Sequence, residues 1–398
     1  MKFSNPFKKK ASATSATIAV NPGQPVWTPR DYKSFADEAY SKNVAAYQCI
    51  NRIADAIASV ELEVWKGAKL LSDHPVLELL KNPNPAQSGV DLIRAKVSYL
   101  MIAGNAYDER LVVGGKVREL YTLRPDRMNI IESNNGVPAG FTYTVGMKKA
   151  TFDVDERTGE CDINHLKLFN PLNDWYGQSP VEAGAYAIDQ HNESMSWMQS
   201  LLQNSAVPSG VYTVKEELGV EAFNRLKLQI DEKMTGTSKG RPLLVEGGAT
   251  WQTIALSPLD LNIIENKYSA ARDVCLAFGV PPQLLGIPGD NTYSNYAEAR
   301  LAFYEDTVLP LLDLLLADWN NWLTGGEVDI KANLDKVPAI ADKRAKMWEM
   351  ADKSEDLTVN ERRSMKGYPD IIGGDRLQER KPAAAISPEL AKSLAYGD

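Results

Sequence analysis

The stretch from Ala277 to Tyr296 decides the fold, and it reads A-F-G-V-P-P-Q-L-L-G-I-P-G-D-N-T-Y-S-N-Y. Pro281 and Pro282 end the helix before them, because proline lacks an N–H donor and restricts the residue that precedes it. The glycines and the third proline that follow keep the chain out of a helix, which is expected to resume near Ser294. The sequence therefore predicts a hinge and a loop between two long helices, although a plain surface turn is also compatible with it.

Long helical segments lie on both sides of this stretch. Residues 259–278 place apolar side chains three and four positions apart, as one buried face of a helix requires. Residues 181–204 and 296–323 predict two further long helices, the second with a kink near Pro310. Residues 208–256 combine short strands, a helix and Gly-rich turns, which predicts a small α/β lobe between two of the helices.

The first 178 residues predict an α+β domain, in which three helices precede a meander of strands. The helices are expected at residues 43–60, at 74–80 and from a capping Ser88 to residue 103. Residues 105–123 then alternate around a Gly-Gly pair, which is typical of a β-hairpin. Further short strands are expected up to residue 169.

The composition is that of an ordinary globular protein, since 44% of its 398 residues are apolar and 24% are charged. No uncharged apolar run approaches the roughly 18 residues that a membrane span needs. A net charge of −8 argues against a protein that grips nucleic acid over its whole surface, but not against one that lets DNA pass. Residues 1–30 carry five Lys or Arg and no acid, so residues 1–40 are expected to form a flexible basic tail.

Motifs for catalysis are absent from the sequence. It contains no phosphate-binding loop, no His-Glu-x-x-His zinc motif and no Cys-x-x-Cys pair. We therefore expect no catalytic residue, no metal site and no cofactor. Three histidines are each interpreted as structural: His74, His165 and His191. The one enzyme hypothesis left is a metal-dependent hydrolase with a dispersed acidic site, formed by Asp153, Asp174 and Asp189.

The helix at 181–204 carries three acids and no Lys or Arg. Glu182, Asp189 and Glu193 are separated by seven and four positions, so they lie on one face of the helix. Such a row of acids is either a solvated stripe or a surface that repels an anionic partner.

Several motifs, in this order along the chain, resemble those of the portal proteins of tailed double-stranded DNA bacteriophages and of related gene transfer agents. The resemblance runs from about residue 43 to residue 375. The motifs are W-Y-G-Q-S-P at 175–180, D-Q-H-N at 189–192, L-Q-N at 202–204, F-G-V-P-P-Q-L-L-G at 278–286, S-N-Y-A-E-A at 294–299, L-P at 309–310, T-V-N-E-R at 358–362 and G-G-D at 373–375.

This resemblance implies a ring, typically of twelve subunits, at one vertex of a capsid, with a channel for the packaging and ejection of DNA. The implied parts after the tail are a wing (41–178), a first stem helix (179–206), a clip (207–257), a second stem helix (258–280), a hinge with a tunnel loop (281–295), a kinked wing helix with a strand (296–337), and a short crown with a C-terminal tail (338–398). The tunnel loop would expose to the channel Gly286, Asp290, Asn291, Thr292, Tyr293, Ser294 and Asn295. The channel wall would carry Glu182, Asp189 and Glu193.

The implied partners are further copies of the chain, the major capsid protein, the terminase, a head-tail adaptor and double-stranded DNA that passes without sequence specificity. No membrane partner is expected. The protein is expected in the virion, after assembly in the cytoplasm of a bacterial host. The alternative is a capsid- or tail-associated oligomeric adaptor that does not conduct DNA.

Overall fold

A computed structural model describes residues 27–134, 136–155, 157–203, 210–213, 219–225, 228, 250–253, 262–288, 293–354 and 356–377. Within these ranges, helices combine with small antiparallel sheets, so the predicted α+β class is confirmed. None of the helices in these ranges is long and apolar enough to cross a membrane.

The elements have the following bounds. The helices are α1 (Tyr32–Phe35), α2 (Val44–Ala58), α3 (Pro75–Lys81), α4 (Gly89–Ala103), α5 (Pro180–Ala183), α6 (Ala185–Gln203), α7 (Ile263–Phe278), α8 (Tyr293–Phe303), α9 (Leu309–Trp319), α10 (Ala341–Lys353) and α11 (Val359–Met365). The strands are β1 (Leu62–Lys66), β2 (Lys69–Leu71), β3 (Asn105–Val113), β4 (Lys116–Leu123), β5 (Met128–Ile131), β6 (Gly140–Val145), β7 (Lys148–Asp153), β8 (Ile163–Lys167), β9 (Gly210–Thr213), β10 (Thr250–Thr253) and β11 (Asp329–Ala332).

The helix starts follow their local sequence. Ser88 and Asp91 form a reciprocal capping box at the start of α4, and the Ser179 hydroxyl caps α5 by accepting from the Glu182 N–H at 2.9 Å. Thr358 and Glu361 form a second capping box at the start of α11. The contacts of Ser88 confirm the predicted cap of α4.

The strands after α4 do not form the meander predicted from the sequence. β5, β6 and β7 do follow one another in one sheet, but in the other β3 lies between β4 and β8. The last strand of the region, β8, therefore pairs with β3, the first strand after α4. β1 pairs with its hairpin partner β2 and, on its other side, with β11, so that Leu62 lies opposite Ala332.

One large core holds the helices together. α2 and α4 pack against each other, and their central residues Ile50, Ile53, Leu92 and Leu100 are fully buried. α9 adds to the same core four buried side chains: Leu312, Leu315, Leu316 and Trp319. These four side chains lie on one face of α9, whereas Leu314 on another face is 40% exposed, so the described core buries α9 along one side.

A buried cluster of charges joins three elements inside this core. The Nζ of Lys96 on α4 lies 2.5 Å from Oδ2 of Asp108 on β3 and 3.2 Å from Oδ2 of Asp318 on α9. Asp108 also accepts from the Trp319 indole N–H at 3.1 Å and from the Thr122 hydroxyl at 2.8 Å. Burial raises the pKa of Asp318 above its ordinary value, and Lys96 opposes this shift.

The helical segment from Tyr293 to Thr324 is irregular where the kink is predicted. A π-helical turn at Tyr304–Val308 separates α8 from α9, and Pro310 lies in the first turn of α9. A second π-helical turn, Asn320–Thr324, follows α9. The wider turn before Pro310 is a known way for a helix to accommodate a residue without an N–H donor.

The small α/β lobe is described in part. β9 pairs antiparallel with β10 and residues 220–225 are helical, so strands and a helix occur in the lobe, as predicted. Most of the rest of this lobe, including residues 242–245, where the sequence predicts a further strand, lies outside the described residues.

Candidate functional site

The candidate site is built on the helices that flank the opening stretch. α6 and α7 pack against each other, and a Cβ atom added at Gly184 would lie 3.1 Å from the Ala277 Cβ. The end of α7 is thus close to the start of α6, which requires a small residue at the contact. The helix predicted as one piece at 181–204 is interrupted at Gly184, between α5 and α6.

The N-terminal region differs from the predicted flexible tail of residues 1–40. Residues 27–41, which we call the strap, are described; they include α1 and a π-helical turn, Ala36–Ser41, with Phe35 and Ala39 buried in the core. The prediction of a flexible tail rested on charge content alone, whereas these residues also have the spacing of an amphipathic helix. Apolar or aromatic side chains recur at helical spacing, at Tyr32, Phe35, Ala36, Ala39 and Tyr40. Residues 1–26 lie outside the described part.

The strap contacts two of the three acids on the α5–α6 face. Asp189 accepts a hydrogen bond from the Thr28 N–H at 3.1 Å and a second from the Thr28 hydroxyl. Glu182 lies 3.9 Å from the Arg30 guanidinium. Glu193 is exposed and lines, with Asp189 and strap residues, a cavity of about 730 Å³. The structure therefore gives Glu182 and Asp189 partners that the sequence pattern did not reveal.

Amide side chains fix the deeper part of the strap to α6. The Asn192 Nδ2 donates to the Glu38 carbonyl at 3.0 Å, and the Asn43 Nδ2 donates to Asn192 Oδ1 at 3.0 Å. Asn43 also caps α2 through the Ala46 N–H at 3.0 Å. The D-Q-H-N motif at 189–192 thus supplies two residues that hold the strap.

The hinge after α7 is tied to the elements around it. Gly279 ends α7 with a positive φ of 64°, and its carbonyl accepts from the Thr307 hydroxyl at 2.6 Å, within the π-helical turn before α9. A 3₁₀ turn, Pro282–Leu285, follows, and then Arg272 donates to the Pro288 carbonyl at 2.7 Å. The chain is therefore held as far as Pro288, and α7 ends before Pro281 and Pro282, as predicted.

The helix after this stretch begins close to Ser294, as predicted, and it includes the last three residues of the implied tunnel loop. α8 begins at Tyr293, so Tyr293, Ser294 and Asn295 belong to its first turn rather than to a loop. After Gly289 no glycine or proline prevents a helix. Gly286 ends the 3₁₀ turn in a left-handed conformation with φ 71°. Asp290, Asn291 and Thr292 lie outside the described residues.

The residues considered for catalysis have structural surroundings. His74 caps α3, and His165 stacks on Tyr107 with ring centroids 4.4 Å apart, where burial lowers its pKa to about 3. His191 is buried against Asn43, and burial lowers its pKa as well. In the described ranges, no three His, Cys, Asp or Glu side chains are grouped so that they could hold a metal ion. Asp153, Asp174 and Asp189 are thus not brought together as such a site.

Comparison with known proteins gives one consistent result. The model of the family described as phage portal protein matches residues 44–367. A protein of Rickettsia bellii is 39% identical over 349 residues, which cover 85% of this chain and 90% of that protein. The portal protein of Enterobacteria phage HK97 is 22% identical over 361 residues, which cover 86% of this chain and 82% of that protein.

Two solved structures of gene transfer agent (GTA) particles contain a similar chain. The neck of an empty GTA particle matches with a TM-score of 0.68 and 39% identity, over 89% of this chain and 98% of that one. The neck of a native GTA particle, computed with C12 symmetry, matches with a TM-score of 0.66 and 39% identity, over 88% of this chain and 96% of that one.

Proposed function

Because this chain belongs to the phage portal protein family, we propose that its copies assemble into a ring of twelve that forms the DNA channel at one capsid vertex. The observation that carries the proposal is the 39% identity, over 88% of this chain, to a chain in the neck of a GTA particle computed with C12 symmetry. In this proposal α5, α6 and α7 form the stem, the lobe at 207–257 is the clip, and residues 338–398 hold the crown. The ring is the attachment site for the terminase and the head-tail adaptor.

Exposed apolar side chains on the stem helices support self-association. Leu276 and Ile264 on α7 are 80% and 62% exposed, and Leu202 near the end of α6 is 68% exposed. A closed ring needs two different surfaces on each copy that complement each other, and apolar side chains that the protomer leaves uncovered supply contact area for such surfaces. DNA passage needs no catalytic group on the wall, in keeping with the structural surroundings of the histidines.

Electron microscopy of the purified full-length protein tests the proposed assembly. We expect closed rings, with twelvefold symmetry in class averages and a central lumen wide enough for duplex DNA. Closed discs without a lumen would instead identify an oligomeric adaptor that does not conduct DNA. A protein that stays monomeric at all concentrations, while its thermal unfolding remains cooperative, would contradict the ring.

The tunnel loop gives a separate prediction about DNA passage. Deletion of residues 289–292 is expected to leave rings intact and to remove most of the packaged DNA, because the loop would no longer reach the duplex. The matched control replaces the same four residues by Gly-Ser-Gly-Ser, which keeps the length but removes the Asp290 carboxylate and the Asn291 amide. Ring images and nuclease-protected DNA per particle are the measurements. Loss of rings in the deletion variant would show that the segment is a contact between subunits.

A further inference from the structure

The strap has two parts that differ in burial. In the deeper part, Phe35 is 6% exposed and Ala39 is 1% exposed, within the same core as Val181 and Ile188. In the outer part, residues 27–31, which we call the latch, no side chain is buried and Trp27 is 53% exposed. Terminal segments with few buried apolar contacts open at a lower free energy than the core to which they are attached. The two parts of the strap are therefore expected to open separately.

Three contacts hold the latch on the α5–α6 face. The Trp27 ring meets the Tyr186 ring edge to face, with centroids 4.9 Å apart. The Thr28 N–H and hydroxyl both donate to Asp189. The Arg30 guanidinium lies 5.9 Å from the Tyr186 ring centroid and 3.9 Å from Glu182. Thr28 and Arg30 thus contact two of the acids that were predicted to line a channel, and Trp27 contacts Tyr186, which lies between them in the sequence.

The surroundings of the latch favour its release. The side chains of the Arg30–Glu182 pair are 56% and 28% exposed, so water and salt screen their attraction. Beside the latch lies the cavity of about 730 Å³, which separates part of the strap from α6. The latch is thus held at separate points rather than by a packed interface. One of these points is the Asp189 carboxylate, which accepts two hydrogen bonds from Thr28.

We propose that the acidic face of α5 and α6 is the binding surface for the chain's own latch, which opens and closes on it while Phe35 and Ala39 keep the rest of the strap in place. With the latch closed, Asp189 is hydrogen-bonded and Arg30 offsets the charge of Glu182. With the latch open, Arg30 no longer offsets Glu182 and Asp189 loses its hydrogen bonds from Thr28, while Lys33 of the strap stays beside the cavity that Asp189 and Glu193 line. The latch therefore controls how much negative charge this face presents, whether or not the proposed ring forms.

Hydrogen–deuterium exchange of the full-length protein tests the latch directly, because the Thr28 amide is one of the groups that closure protects. Asp189→Ala is expected to increase exchange in peptides covering residues 27–34 by about tenfold, as expected for the loss of a hydrogen bond to a charged acceptor. Exchange in peptides covering residues 35–41 should stay unchanged. The matched control is Glu193→Ala, one turn further along the same helix. Within the described residues no hydrogen bond or ion pair joins Glu193 to the latch, so exchange should stay at the wild-type level.

A charge exchange separates the role of Arg30 from a general loosening of the helix. Arg30→Glu should open the latch by placing a third acid beside Glu182 and Asp189, and the double variant Arg30→Glu with Glu182→Arg should restore protection. Equal exchange at residues 27–34 in the wild type, Asp189→Ala and Arg30→Glu would overturn the proposal. An equal increase at residues 35–41 would overturn it too, because the strap would then detach as one unit.

Discussion

Replacement of Lys96 by methionine is expected to lower the free energy of unfolding by about 3–5 kcal/mol. The Lys96 side chain is fully buried, and its ammonium group lies between the carboxylates of Asp108 and Asp318. Methionine fills a similar volume but leaves the buried Asp108 charge without its cation, and that uncompensated charge is the main cost. The loss of the cation from above the Trp319 ring, 5.0 Å from its centroid, adds a smaller part. The measurement is urea unfolding of the wild type and the variant, in which the slope of the free energy against urea concentration should be the same for both.

The matched control for this substitution lies on the same helix. Arg94 pairs with Asp55 at 2.6 Å, but both side chains are about half exposed, so Arg94→Met is expected to cost less than about 1 kcal/mol. Asp108→Asn added to Lys96→Met should recover part of the lost stability, because an amide keeps an acceptor for Trp319 and removes the charge. Equal costs for the Lys96 and Arg94 variants would contradict the assignment of the buried cluster as a major source of stability.

Gly177→Ala is expected to destabilise the fold by about 3 kcal/mol or more. An added Cβ would lie 2.1 Å from the Gly104 carbonyl oxygen and 2.7 Å from the Leu168 carbonyl oxygen. Both are backbone atoms, so no side chain can turn away to relieve the clash. The same contact holds the chain that enters α5, where the Gly177 N–H donates to Asn105 Oδ1 at 2.8 Å. The expected result is a fall in the thermal midpoint, measured by circular dichroism.

A second glycine provides the comparison for this variant. Among the described residues, a Cβ added at Gly219 meets no heavy atom within 4 Å, so Gly219→Ala should change the free energy of unfolding by no more than about 1 kcal/mol. If Gly177→Ala lowered the free energy of unfolding as little as Gly219→Ala, the backbone around the W-Y-G-Q-S-P motif would have to shift without cost. The motif would then not require glycine for packing.

The features that were predicted correctly depend on neighbouring residues. The cap at Ser88 and the breakers around Pro281 act within a few residues, so their local pattern is sufficient. The bounds of α2 and α4 follow from apolar spacing for the same reason. The α+β class and the break after α7 could therefore be read from the sequence.

The features that were missed depend on residues far apart in the chain. The pairing of β3 with β8 cannot be told from a meander by alternation alone, because both arrangements need the same alternating strands. The acidic face shows the same limit. The spacing of Glu182 and Asp189 places them on one side of a helix, but no local pattern reveals that Arg30 and Thr28, more than 150 positions earlier, contact them. The loop at 289–292 remains a prediction.

The pairing of β1 with β11 has a consequence for how the protein is made. One side of β1 stays unpaired until β11 has been synthesised, because Leu62 pairs with Ala332, which lies 270 residues later in the chain. At a synthesis rate of about 5–20 residues per second, this delay lasts roughly 15–55 s. During that time β1 is an open edge that can join another nascent chain, and the charged Glu63 and Lys66 are the residues that oppose such a mispairing. Yield during expression should therefore depend on translation speed more than the stability of the finished fold would suggest.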